Sequence, residues 1–339
     1  MPPVTRTTAI PTVTGSAGAD YSRHETVRQN DYDLTAGYGQ SVTQPMPAAE
    51  VDVSGDLVRR LLAEQHPDLA RMRVELLANG WDNVMFRVGN ELAARLPRRE
   101  MAAGILLNEQ RWLPELAPRL PLPVPAPVRT GRPGGGYPWA WSVVPFLPGA
   151  PASAAPPADP RDAAVAIGGF FGALHAPAPP DAPANPYRGV PLERRAATFA
   201  ENLSLLEGQV DRGAVLRVWE AALAAPRWDR TPVWLHGDPH PANILVHDGR
   251  VSGVIDFGDI TSGDPAADLS LAWMLLPAEC HDGFRAAYED AGHDRVGDPL
   301  WRRARGWALG LALAFLAYSA DNPQLGQIGR RTLDAVLRT

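Results

Sequence analysis

His236-Gly237-Asp238-Pro239-His240-Pro241-Ala242-Asn243, followed by Ile255-Asp256-Phe257-Gly258-Asp259, holds the densest set of reactive side chains in the chain, with Asp264 and Asp268 close behind. Between the two segments, Ile244, Leu245 and Val246 face Val251, Gly253, Val254 and Ile255 across Asp248-Gly249, a strong two-residue hairpin signal. If that turn sets the register, Asn243 opposes Val254, and Asn243 and Asp256 become diagonal neighbours on one face. An amide oxygen and a carboxylate then converge at one end of the ribbon, a suitable pair of hard ligands for Mg²⁺. Asp238 lies upstream, positioned to orient and deprotonate a nucleophile.

Outward from this centre, the first half reads as strands with one inserted helix. Arg73 to Ala78 is extended, Asn79-Gly80-Trp81-Asp82 is a turn, Val84, Phe86 and Val88 alternate with polar or flexible neighbours, and Gly89-Asn90 turns into Glu91 to Leu96. A short helical pattern, Leu57, Leu61 and Leu62, precedes them. Met101, Ile105, Glu109 and Trp112 recur at helical spacing, and two extended runs, around Val128 and from Trp139 to Leu147, flank the loop Gly131 to Gly136. Alternation points Arg95 away from Leu92, Ala94 and Leu96, and Glu109 interrupts an apolar stripe, where a carboxylate needs a partner. After Pro148-Gly149 a Pro/Ala-rich entry leads into a mainly helical half. The expected division is a tail over 1–52, an N-terminal lobe over 53–148 and a C-terminal lobe over 149–339.

The combination of His236-Gly237-Asp238, Asn243 five residues after the aspartate, and Ile255-Asp256-Phe257-Gly258-Asp259 resembles the aminoglycoside phosphotransferase family, relatives of the protein kinases. The resemblance runs from about Arg71 to the C-terminus. It implies an α+β, bilobal protein-kinase-like fold, with an antiparallel N-lobe carrying one helix and a mainly helical C-lobe. By the same resemblance Asp238 is the catalytic base for a substrate hydroxyl, and Asn243 and Asp256 hold the metals on the nucleotide phosphates. Arg95 and Glu109 match the strand cation and helix glutamate of that plan, with an arginine's planar fork replacing lysine's point charge. Only Gly80 stands where a glycine-rich loop is expected, so backbone amides helped by Asn83 are expected to cover the phosphates. Ser142 to Gly149 resembles the interlobe hinge, with Val144 and Phe146 offering a carbonyl and an amide to the base. The implied substrates are ATP or GTP with Mg²⁺ and a hydroxylated small molecule such as an antibiotic; a metabolite kinase of the same fold is the nearest alternative.

Composition narrows the field further. The 339 residues contain 32 basic side chains, every one an arginine, so a Walker-type phosphate loop and a Schiff-base lysine are excluded. A formal charge of −6 argues against a nucleic-acid partner. The acidic excess from Pro232 to Leu300, twelve Asp and Glu against three Arg, would attract a cationic substrate if it surrounded the acceptor cleft. One cysteine, Cys280, suits a reducing cytoplasm. Gly306 to Ala320 is apolar but short of the roughly 20 residues that span a bilayer, so no membrane partner is expected. The first 50 residues carry no secretory pattern and read as a disordered tail. A rival reading treats His236, Asp238, His240 and Asp256 as the cluster of a metal-dependent phosphoesterase. Another, motivated by the thin glycine loop, makes the chain a pseudokinase scaffold. His236 is expected to brace the loop, Asp268 to bond catalytic-loop backbone, and Asp264 to cap the following helix.

Overall fold

The computed structural model describes residues 48–80, 82–291, 297–320 and 322–339. The tail expected over 1–52 falls mostly outside them. Its last residues are attached: the Glu50 N–H donates to the Arg98 carbonyl at 2.9 Å, and Val51 packs on the first core.

The first lobe begins with α1 (Gly55–Gln65), whose N-cap Ser54 accepts from the Leu57 N–H at 3.3 Å. Its apolar stripe, Leu57, Val58, Leu61 and Leu62, is buried against β1 (Val74–Asn79), β2 (Asn83–Val88) and β3 (Leu92–Pro97). Helix α2 (Glu100–Leu116) follows, then β4 (Arg129–Gly131) and β5 (Trp141–Pro145), completing an antiparallel five-stranded sheet in the order β1-β2-β3-β5-β4. Gly89 takes φ +64° to turn β2 into β3. The α2 face differs from the expected one. Met101 is exposed, and Ala102, Leu106, Glu109, Trp112, Leu113 and Leu116 are buried, because the helix is gripped between the sheet on one side and the second lobe on the other. Trp112, Leu113, Leu116 and Val124 belong to the core of the second lobe.

That lobe adds β6 (Ala150–Pro151), α3 (Pro160–Leu174), α4 (Ala196–Leu205) and α5 (Arg212–Leu223). There follow β7 (Val233–Leu235), β8 (Ile244–His247), β9 (Arg250–Val254) and β10 (Thr261–Gly263). The chain closes with α6 (Ala266–Leu269), α7 (Leu271–Leu275), α8 (His281–Asp290), α9 (Asp298–Ala317) and α10 (Pro323–Arg338). α3 and α8 pack closely because Gly168 and Gly172 lack side chains; a Cβ at Gly168 would lie 2.4 Å from the Phe284 carbonyl. Two pairings were not expected from the sequence: β10 with β7, and β6 with β8. Among the described residues no helix is long and apolar enough to cross a membrane.

Candidate active site

The β8–β9 hairpin turns at Asp248 (φ 50°) and Gly249 (φ 76°), as the Asp-Gly signal requires. Its register differs from the expected one by a residue. His247 opposes Arg250 and Val246 opposes Val251, but a bulge then leaves Leu245 opposite Gly253 and Ile244 opposite Val254. Asn243 therefore meets Ile255, whose N–H donates to the Asn243 carbonyl at 2.9 Å. The diagonal Asn243–Asp256 relation derived from an unbulged ribbon does not hold. Asp256 instead turns through a left-handed backbone, φ 65°, and leaves the strand. A non-glycine residue held there is a strained position of the kind that collects at functional sites.

Asp256 meets the first lobe. Its Oδ1 lies 3.3 Å from Arg95 Nη2, while Arg95 Nη1 donates to Glu109 Oε2. With its amide oxygen turned toward the guanidinium, the orientation that satisfies both partners, Asn83 accepts from Arg95 Nε at 3.2 Å and Nη2 at 3.0 Å. One planar fork thus addresses three groups on β2, α2 and the segment after β9, which a lysine's single ammonium could not do in one plane. Burial pushes the Glu109 carboxyl up to about 7, against the downward pull of Arg95. Its Oε1 has no hydrogen-bond partner among the described residues. Arg95 is pushed up on balance: burial opposes its charge, and Glu109 and Asp256 overcome that.

The 236–243 loop is braced from behind. The buried Asp268 carboxylate accepts from the N–H groups of His236 (2.7 Å) and Gly237 (3.0 Å) and faces His175 Nε2 at 3.2 Å; His175 Nδ1 lies 3.1 Å from the Tyr288 hydroxyl. His236 Nε2 meets the Ile255 carbonyl at 2.9 Å, and its Nδ1 accepts from the Asp238 N–H at 3.2 Å. Gly237 sits at φ +89°, and a Cβ there would fall 2.1 Å from the Asp259 carbonyl. Asn243 Nδ2 donates to the Asp238 carbonyl at 2.9 Å, which leaves Oδ1 as the atom Asn243 can offer a hard cation. Asp256 offers a half-exposed carboxylate, and an amide oxygen and a carboxylate are the donor types that Mg²⁺ takes.

In front of the loop stands a residue that sequence reasoning missed. Arg188 Nη2 donates to Asp238 Oδ1 at 2.7 Å, and its Nε donates to Asp259 Oδ2 at 3.1 Å. Asp238 Oδ2 faces His240 Nε2 at 3.5 Å. Burial pushes the Asp238 carboxyl up, but Arg188 and then His240 overcome it and hold the group well below the usual carboxylate range. The local signal was the segment Asn185-Pro186-Tyr187-Arg188-Gly189, where Asn185 Oδ1 accepts from the N–H groups of Tyr187 (2.9 Å) and Arg188 (3.2 Å). Nothing in that turn names its distant partners.

Two expectations fail on geometry. The Phe146 N–H donates to the Glu91 carbonyl at 2.7 Å, and Val144 opposes Ala93 two rungs along the same ladder. Antiparallel bonding alternates by two residues, so Val144 and Phe146 direct their backbone groups at β3. The carbonyl of Pro145, between them, points to the opposite edge, past Val143, where the β4 ladder ends. The Phe146 ring instead lies under the Arg87 guanidinium, 3.9 Å from its centroid. The phosphoesterase cluster also fails: His236 spends both nitrogens on backbone groups of Asp238 and Ile255, and among the described residues no group of three His, Cys, Asp or Glu side chains is arranged to hold a metal ion. In the loop over the expected phosphate site, the Gly80 N–H closes a turn on the Asn83 carbonyl at 2.9 Å, and Arg98 Nη1 donates to Asn79 Oδ1 and the Gly80 carbonyl, both at 3.1 Å. Trp81 lies outside the described residues.

A five-stranded lobe joined by a short hinge to a helical lobe, with an arginine–glutamate pair reaching the segment after the hairpin, defines a kinase-like phosphotransferase fold. The sequence profile of the phosphotransferase enzyme family matches residues 73–307, and the chain belongs to that family, whose members transfer phosphate to a hydroxyl group. It is 30% identical over 222 residues to an aminoglycoside 3'-phosphotransferase of Streptomyces fradiae, a match covering 61% of this chain and 79% of the relative. The fold is also that of the GDP complex of aminoglycoside 2'-phosphotransferase-IIIa (TM-score 0.57, 20% identity, 84% of this chain and 99% of the other). A macrolide 2'-phosphotransferase from Brachybacterium faecium aligns similarly (TM-score 0.55, 22% identity, 83% and 97%).

Proposed function

We propose that the chain transfers the γ-phosphoryl group of ATP or GTP to a hydroxyl of a small antibiotic-like natural product of the aminoglycoside or macrolide kind. The observation that carries this reading is the Arg95 bridge: a buried guanidinium joins Glu109 of one lobe to Asp256 of the other, while Asp238 presents a carboxylate from the braced loop next to it. Arg95 holds the α/β-phosphates through whatever charge Glu109 leaves unneutralised. The Pro145 carbonyl, which leaves the sheet edge at the hinge, grips the base together with the Leu147 N–H. Asn243 and Asp256 would hold Mg²⁺, which would neutralise phosphate charge when bound. Asp238 Oδ2, in the longer of its two contacts, accepts the acceptor's hydroxyl proton, and Oδ1 keeps the carboxylate oriented through Arg188.

The test is incubation of the full chain with ATP or GTP, Mg²⁺ and a panel of aminoglycosides, macrolides and hydroxylated metabolites. A gain of one phosphate on an antibiotic is the expected result. Transfer confined to a common metabolite would favour the metabolite kinase, and hydrolysis of phosphoesters without nucleotide would overturn the reading.

A further inference from the structure

Much of the acidic excess of residues 232–300 near the 236–243 loop is not open charge. Seven of its carboxylates are each held by a cation or by backbone amides. Asp256 faces Arg95, Asp264 is gripped by Arg303 through Nε (2.7 Å) and Nη2 (3.1 Å), and Asp268 holds the catalytic-loop amides. Glu289 and Asp298 share Arg285. The two carboxylates flanking the acceptor side of the catalytic loop, Asp238 and Asp259, share Arg188.

Arg188 is built into place. The Asn185 side chain closes the turn that presents it and also donates to Asp259 Oδ1 at 2.9 Å. Gly189, at φ +64°, docks on β10: its carbonyl accepts from the Asp264 N–H at 2.9 Å, and a Cβ at Gly263 would lie 2.2 Å from that carbonyl. Thr261 Oγ1 ties the same segment by donating to the Pro183 carbonyl at 2.9 Å. A guanidinium held this way occupies the carboxylate oxygens that the ammonium groups of a polycation would seek, and its own charge repels them.

We propose that Arg188 is the specificity-determining residue of the acceptor site, admitting neutral or singly charged hydroxylated acceptors and disfavouring polycations. The inference rests on the acceptor-phosphorylating reading of this site and narrows its substrate class to the macrolide-like side.

Calorimetric binding to the full chain tests it, with kanamycin as the polycationic probe and a macrolide bearing a single dimethylamino sugar as the singly charged one. Arg188→Gln is expected to bind kanamycin at least about tenfold more tightly than the unaltered chain while macrolide affinity moves less than about threefold; Arg188→Lys, which keeps the charge, retains the original ranking. Asp259→Asn leaves Arg188 in place with one carboxylate fewer and is expected to weaken kanamycin binding, which keeps the proposal testable if Arg188→Gln does not fold. Unchanged or absent kanamycin binding in Arg188→Gln, equal shifts for both probes, or tighter kanamycin binding in Asp259→Asn overturns it. Binding order decides this inference, whereas gain of phosphate decides the proposed function, so either can fail without the other.

Discussion

Two arginines in this molecule each stand between two carboxylates, and they differ in everything else. Arg95 is buried with Glu109 between the lobes and touches Asp256 at its solvent edge. Arg188 is about one-fifth exposed, and its partners Asp238 and Asp259 are exposed to a similar degree. A buried ion pair costs desolvation and survives only when each charge keeps its partner; a partly exposed one can exchange a partner for an incoming ligand at smaller cost. On the proposed function, the first cluster would hold a constant charge against phosphates and the second would meet the acceptor.

The largest expected effect separates the clusters by chemistry. Asp238→Asn keeps the shape of the loop but removes the proton acceptor, and kcat should fall by about 10²–10⁴ with nucleotide affinity unchanged; an equal loss of nucleotide binding would mean that the two clusters are not separable. Next, Arg95→Met strands the Glu109 carboxylate and should destabilise the fold by about 3–5 kcal/mol in chemical denaturation. The double variant Arg95→Met, Glu109→Leu should recover much of that stability while nucleotide binding stays lost, a split that Arg188 variants should not reproduce. Gly237→Ala forces a side chain onto the Asp259 carbonyl at a positive φ. About 1–3 kcal/mol of strain is expected, read as reduced kcat with the first lobe's nucleotide affinity intact.

A pH series sharpens the contrast further. Glu109 titrates near 7 in the folded chain against an ordinary value of 4.5. The folded state therefore holds more protons between those values, and this group's stabilising contribution is full below about 4.5 and lost as pH rises through 7. Glu109→Gln should flatten that decline in a series of thermal melts between pH 4.5 and 8; an unchanged slope would show that the carboxyl is ionised throughout. The smallest effect belongs to Asp181, whose ion pair with Arg111 is more than half exposed on both sides. Asp181→Ala should cost no more than about 1 kcal/mol.

Legibility follows the same division. Asp238, Asn243 and Asp256 stood out through the motif resemblance, and Arg95 and Glu109 through local patterning. A carboxylate in the apolar stripe of α2 announces a buried partner, and alternation on β3 states which way Arg95 points. The hinge was readable as a segment but not in phase, since the parity of backbone bonding depends on which rung of β3 the strand meets. Asn185 and Arg188 were invisible because their partners lie 50 to 74 residues away.

The amino-acid order alone determined the two-lobed plan, the hairpin turn at Asp248-Gly249 and the buried pairing that Arg95 and Glu109 require, since periodicity, turn chemistry and buried charge are local properties. The tertiary structure decided the one-residue bulge that moves Asn243 opposite Ile255, the turning of the Val144 and Phe146 backbone groups toward β3, and the capture of Asp238 by Arg188. Those outcomes depend on how separately folded segments dock. A polar side chain takes whichever partner docking brings within about 3 Å, and no spacing along the chain encodes that.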